Sequence, residues 1–174
     1  MAMDNIIEES GMSFVTDNAF RIEKSTNIKE VKSVDFVLIH NKSLIFIEAK
    51  TSFPNPHNPS KENFEKFRKG IGDIYEKFIH SLNMYSSIKL GVRDEELPKN
   101  FINTGSVKLV FVLIIKNHET SWCNELKNIL TGMFPKYLNG IWNHEVFVIN
   151  HKTAIKYKLT VSCENAAAEP DAQS

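Results

Sequence analysis

The segment from Val34 to Lys50, "VDFVLIHNKSLIFIEAK", constrains this chain more than any other part. Two runs rich in β-branched and aromatic residues flank one short polar break. Runs of that kind joined by a two-residue turn read as a β-hairpin. Asn41 and Lys42 form the turn, and Asn41 is suited to the left-handed conformation. His40 then pairs with Ser43, and a four-residue turn over the same stretch gives the same pairing. Counting outward from that pair places Asp35 opposite Glu48. Side chains alternate along a strand, so Asp35, Glu48 and Lys50 emerge on one face, with Ser33 opposite Lys50.

Such a pairing is unfavourable unless something relieves it. Directly opposed residues have Cβ atoms about 4.5–5.5 Å apart, and like charges there are destabilising. Two carboxylates so placed can share a proton, which raises one pKa. They can also share a hard divalent cation, which prefers oxygen ligands. The plainer alternative is a salt-bridged patch where the sheet meets solvent. Against it, the charges sit inside apolar runs, and the loop "PNPHNPS" (Pro54 to Ser60) follows at once, as at many binding sites.

The remaining elements are read from periodicity. Asp4 to Ser10 is expected to form a short helix ending at Gly11. Ala19 to Ser25 and Val31 to His40 are expected as strands. Ser60 caps a long amphipathic helix whose stripe is Phe64, Phe67, Ile71, Ile74, Phe78, Leu82 and Tyr85, ending near Gly91. Gly70 and Gly72 weaken it locally. Val107 to Lys116 is a continuous apolar strand buried on both faces. Ser121 to Leu138 is a helix broken near Gly132 and Pro135. "EVFVIN" and "AIKYKLTV" are expected as closing strands. The first strands are joined too closely for crossovers and form an antiparallel meander. The fold class is α/β (α+β), a mixed β-sheet flanked by helices.

The chain has 174 residues, enough for one domain with a sizeable core. A single domain is expected over residues 1–163, with a small polar tail over 164–174 expected to be disordered. Lysine plus arginine balances aspartate plus glutamate, so the formal net charge is zero. Bulk charge therefore does not hold nucleic acid, and any such binding needs a local basic surface. Cys123 and Cys163 lack metal-type spacing. No apolar run is long enough to span a bilayer, and the acidic start "MAMDNIIEES" lacks a signal-peptide pattern. A reduced, cytoplasmic protein is the expectation. The scattered glycines form no phosphate loop, which argues against a nucleotide-binding domain.

On these residues the chain resembles the PD-(D/E)XK nuclease superfamily, with its restriction-endonuclease-like and Holliday-junction-resolvase-like members. The resemblance lies in an aspartate at one strand end, twelve residues, then Glu48-Ala49-Lys50 on the next strand, and a following helix. It spans roughly Asp4 to Lys116, although Val34 stands where the family often has proline. It implies an αβββαβ core and a Mg²⁺-dependent phosphodiesterase, with Mn²⁺ able to substitute. Asp35, Glu48 and the backbone carbonyl of Ala49 are then metal ligands. Lys50 orients or helps deprotonate the attacking water and stabilises charge on the phosphate. A further acid is common in the family; Glu8, Glu9 and Glu23 are the candidates here, Glu23 being otherwise an exposed glutamate paired with Lys24 or Lys32. The helix after the motif supplies substrate contacts, for which Lys77 and His80 are candidates. Asp73, Lys77 and His80 lie at helical spacing, and an i,i+4 ion pair is the plainer account of the first two.

The substrate implied is nucleic acid, DNA rather than RNA, in a role such as bacterial defence or repair. A symmetric homodimer or a partner protein would supply specificity. The alternative is a non-catalytic nuclease-fold interaction module within a larger complex.

Overall fold

The computed structural model describes residues 6–15, 19–25, 27–102 and 105–161. Strands β1 (Ile6–Glu9) and β2 (Met12–Val15) form an antiparallel hairpin. The expected helix over Asp4 to Ser10 is thus a strand where it is described. Ser10 and Gly11 form its turn with φ of 51° and 70°. A glycine with positive φ serves a helix terminus and a hairpin turn equally well, which is why the sequence misleads here. Met12 and Phe14 decide the outcome, since alternation sends both into the core with no exposed surface.

A second, five-stranded sheet has the order β3-β4-β5-β6-β7. Its members are β3 (Ala19–Phe20), β4 (Phe36–His40), β5 (Ser43–Lys50), β6 (Lys108–Ile115) and β7 (Glu145–Asn150). The first three are antiparallel, as expected; β5, β6 and β7 run parallel. The strand expected over Ala19 to Ser25 stops at Phe20. Ile22 turns into the core instead, and Ile22–Ser25 is a 3₁₀ turn. At the β4–β5 turn Asn41 and Lys42 both have positive φ, 48° and 60°. That is the turn whose twist matches the flanking strands, and His40 faces Ser43.

Helix α1 (Lys61–Lys89) crosses one face of this sheet. The Ser60 hydroxyl caps it by accepting the Asn63 N–H at 3.2 Å. It runs unbroken through Gly70 and Gly72; the Phe53 ring packs where a Gly70 Cβ would stand. After the short α2 (Lys99–Ile102), α3 (Thr120–Met133) joins α1 on the same face, and α4 (Lys136–Trp142) follows the break at Pro135. The opposite face carries Ile45, Ile47, Val110 and Ile114, packed against Met12 and Phe14 of the small sheet and Ala154.

The last correction concerns "AIKYKLTV". Asn150 ends β7 and its side chain accepts the Thr153 N–H, so His151–Lys156 becomes helix α5. Only β8 (Thr160–Val161) remains extended, paired with β2. The described order therefore opens on a β-hairpin rather than a helix, while meander, long helix and buried apolar strand follow as expected. The expected tail 164–174 and Cys163 lie outside the described residues. Among the described residues no helix is long and apolar enough to cross a membrane.

Candidate metal and phosphodiester site

Asp35 lies one residue before β4, just beyond the paired register, which ends at Phe36 and Ile47. Its backbone N–H donates at 3.1 Å to the carbonyl of Ile47, the residue already paired with Phe36, so the Asp35–Glu48 pairing counted from the turn is displaced by one position. Asp35 Oδ2 accepts the Ala49 N–H at 2.7 Å. Glu48 turns toward α1, where Lys77 meets it, and the Asp35 carboxylate lies near enough for the Glu48 charge to act on it. Asp35 is 8% exposed and Glu48 is 0% exposed.

Two lysines meet Glu48. Lys50 Nζ lies 2.8 Å from Glu48 Oε1, and Lys77 Nζ donates to the same oxygen at 2.6 Å. Glu48 Oε2 is buried with no hydrogen-bond partner among the described residues. A buried carboxylate oxygen without a donor is unfavourable, and a hard cation would relieve it. Burial and then the Glu48 charge raise the Asp35 pKa from 3.8 to about 7, with the Ala49 N–H and Lys77 acting in the opposite direction. Burial works against the Lys50 ammonium, but the hydrogen bond and charge of Glu48 hold its pKa above the ordinary value. Lys50 is therefore a proton donor and positive charge in this state, not a free amine.

Of the residues expected at the site, Asp35 lies within reach of the Glu48 charge and Lys50 pairs with Glu48. The Ala49 carbonyl accepts the Ser10 hydroxyl at 3.0 Å, and Thr51 Oγ1 donates to Ser10 O at 3.2 Å. The β1–β2 turn thus docks on the end of β5, and a metal at that carbonyl would use its second lone pair. Among the described residues no three His, Cys, Asp or Glu side chains converge as a metal-ligand cluster. The donor set is two carboxylates and a carbonyl, which suits a cation that keeps several waters.

The candidates for a further acid separate. Glu9 is near enough for its charge to raise the Asp35 pKa. It pairs with Arg21 Nη2 at 3.5 Å. Glu23 sits on the 3₁₀ turn, not on a strand, and pairs with Arg21 at 2.8 Å rather than with Lys24 or Lys32. Glu8 accepts a hydrogen bond from Ser13.

On α1, Lys77 reaches the site and His80 does not join it. His80 Nδ1 accepts the Lys32 backbone N–H at 3.1 Å, and Ser81 Oγ accepts the Val34 N–H at 2.8 Å. Asp73 pairs with Lys32 at 2.6 Å and Lys77 with Glu48, so both members of the alternative i,i+4 pair are engaged off the helix. His57 faces Glu125 at 3.1 Å. Sequence reasoning missed Ser10, Arg21 and Ser81. Only Ser81 left a signal, as a polar residue within the apolar stripe of α1. In comparisons with protein-family models, curated proteins and solved structures, no match to this chain was found.

Proposed function

We propose that this chain is a metal-dependent nuclease, hydrolysing phosphodiester bonds in DNA rather than RNA, with the restriction-endonuclease-like core of the PD-(D/E)XK superfamily. The observation that carries the reading is the buried Asp35 carboxylate within reach of the Glu48 charge, with Glu48 Oε2 buried and without a hydrogen-bond partner among the described residues. The run of β3, β4, β5, α1 and β6 supports the core assignment, since it has the meander, helix and parallel strand of that fold.

Asp35, Glu48 and the Ala49 carbonyl would hold Mg²⁺ or Mn²⁺. When bound, such a cation makes its water more acidic and offsets charge on the phosphate. Lys50, charged and at the strand end, donates to the attacking water or to a phosphate oxygen and stabilises the charge that develops there. Sequence preference, in a chain of zero net charge, falls to a second copy or a partner protein.

A second reading, a non-catalytic interaction module, is favoured by one observation: Glu48 Oε1 is already neutralised by two lysines. Incubation of plasmid, single-stranded DNA and RNA with Mg²⁺ or Mn²⁺ separates the two. Asp35→Ala and Lys50→Ala are expected to lower cleavage by roughly 10²-fold or more. Equal cleavage by wild type and both variants, or none by any of them, would overturn the enzymatic reading.

A further inference from the structure

We propose that Lys77 stands where a second cation would otherwise sit, so that this site holds a single divalent ion. The inference rests on the metal-dependent reading above and specifies its stoichiometry. Two carboxylates offer four oxygens. Asp35 Oδ2 accepts one donor, the Ala49 N–H, and Glu48 Oε1 meets two, the ammonium groups of Lys50 and Lys77. Glu48 Oε1 has both lone pairs engaged, which leaves Glu48 Oε2 and the Asp35 carboxylate for a cation. A bridging second ion would have to share Glu48 Oε1 with two ammonium groups already within 2.8 Å.

Lys77 and Lys50 differ in how they are held. Lys50 ends a strand, with its side chain 38% exposed. Lys77 leaves the middle of α1, with its side chain 23% exposed, and reaches Glu48 from the helix layer. Neighbouring turns of that helix are fixed to the segment leading into β4, through His80 to the Lys32 N–H and through Ser81 to the Val34 N–H. A helix anchored at those points sets where the ammonium sits. The nearby acids do not restore a second set of ligands, because Glu9 and Glu23 are engaged by Arg21, and Asp73 by Lys32. Lys77 is thus a positioning residue that fixes Glu48 and limits the charge the site accepts.

The test counts Mn²⁺ by electron paramagnetic resonance on the full chain at pH 8, independently of cleavage. Wild type is expected to bind one Mn²⁺ tightly, and Asp35→Asn to lose it. Lys77→Met, which keeps length and removes charge, is expected to bind two; Lys77→Arg is expected to bind one. Lys77→Gln replaces Lys77→Met if the latter fails to fold by circular dichroism. Two tight ions in wild type, or one in both wild type and the uncharged variant, would overturn this inference and leave the metal-dependent reading standing. No tight ion in wild type would overturn both.

Discussion

A carboxyl group whose pKa is raised to about 7 in the folded chain makes a testable contribution to stability. For Asp35 the folded value lies above the unfolded value of 3.8, so the folded state holds the proton more tightly between those limits. The penalty for ionising Asp35 is absent below about pH 4 and grows through that window. It is complete above pH 7, where it reaches the order of 4 kcal/mol. Asp35→Asn removes the charge and keeps an acceptor for the Ala49 N–H. Without metal, the variant is expected to match wild type near pH 4 and to exceed it at pH 8. Urea unfolding in the presence of a chelator measures the difference, and a variant less stable than wild type at pH 8 would refute the account. Added Mg²⁺ should then narrow the gap at pH 8, since it favours the ionised carboxylate.

The elements themselves give independent checks on α1. Gly72 lies in the helix interior with nothing within 4 Å of the place a Cβ would occupy. Gly72→Ala is expected to stabilise the chain by about 0.5–1 kcal/mol, read as a shift in denaturation midpoint without a change in slope. Ser60→Ala removes the N-cap acceptor of the same helix and is expected to cost about 1 kcal/mol. Much at this scale was legible. The β4–β5 register followed from Asn41 and Lys42, and α1 from its apolar stripe. The N-terminal hairpin was not, because a short stretch ending in glycine suits either conformation until tertiary packing of Met12 and Phe14 chooses. Helix α5 was missed although Asn150, three residues before Thr153, carried a capping signal. For the site, the shared face of Glu48 and Lys50 on β5 was readable from strand alternation, whereas Asp35 lies before β4, where its N–H bonds Ile47 O out of the counted register. The partner of Lys77 was not, since it depends on how α1 is rotated over the sheet.

At the scale of the whole molecule, the small sheet is more than an appendage. Phe14 of β2 meets Phe36 of β4 edge to face at 4.8 Å, and both rings are fully buried. Phe36 adjoins Asp35, and Ser10 bonds the Ala49 carbonyl, so the two sheets meet at the candidate site. Phe14→Ala is expected to cost about 3–5 kcal/mol in unfolding free energy. On the proposed nuclease reading, cleavage measured on the fraction that remains folded should also fall; full activity there would show that the small sheet only adds stability. Helix α1 has a further consequence. It grips the backbone leading to Asp35 through His80 and Ser81, and it grips Glu48 through Lys77, while its other residues fill the main core. Acidic pair and scaffold are therefore one cooperative unit: on heating, loss of function and loss of helical signal should coincide, with no inactive yet folded species between them.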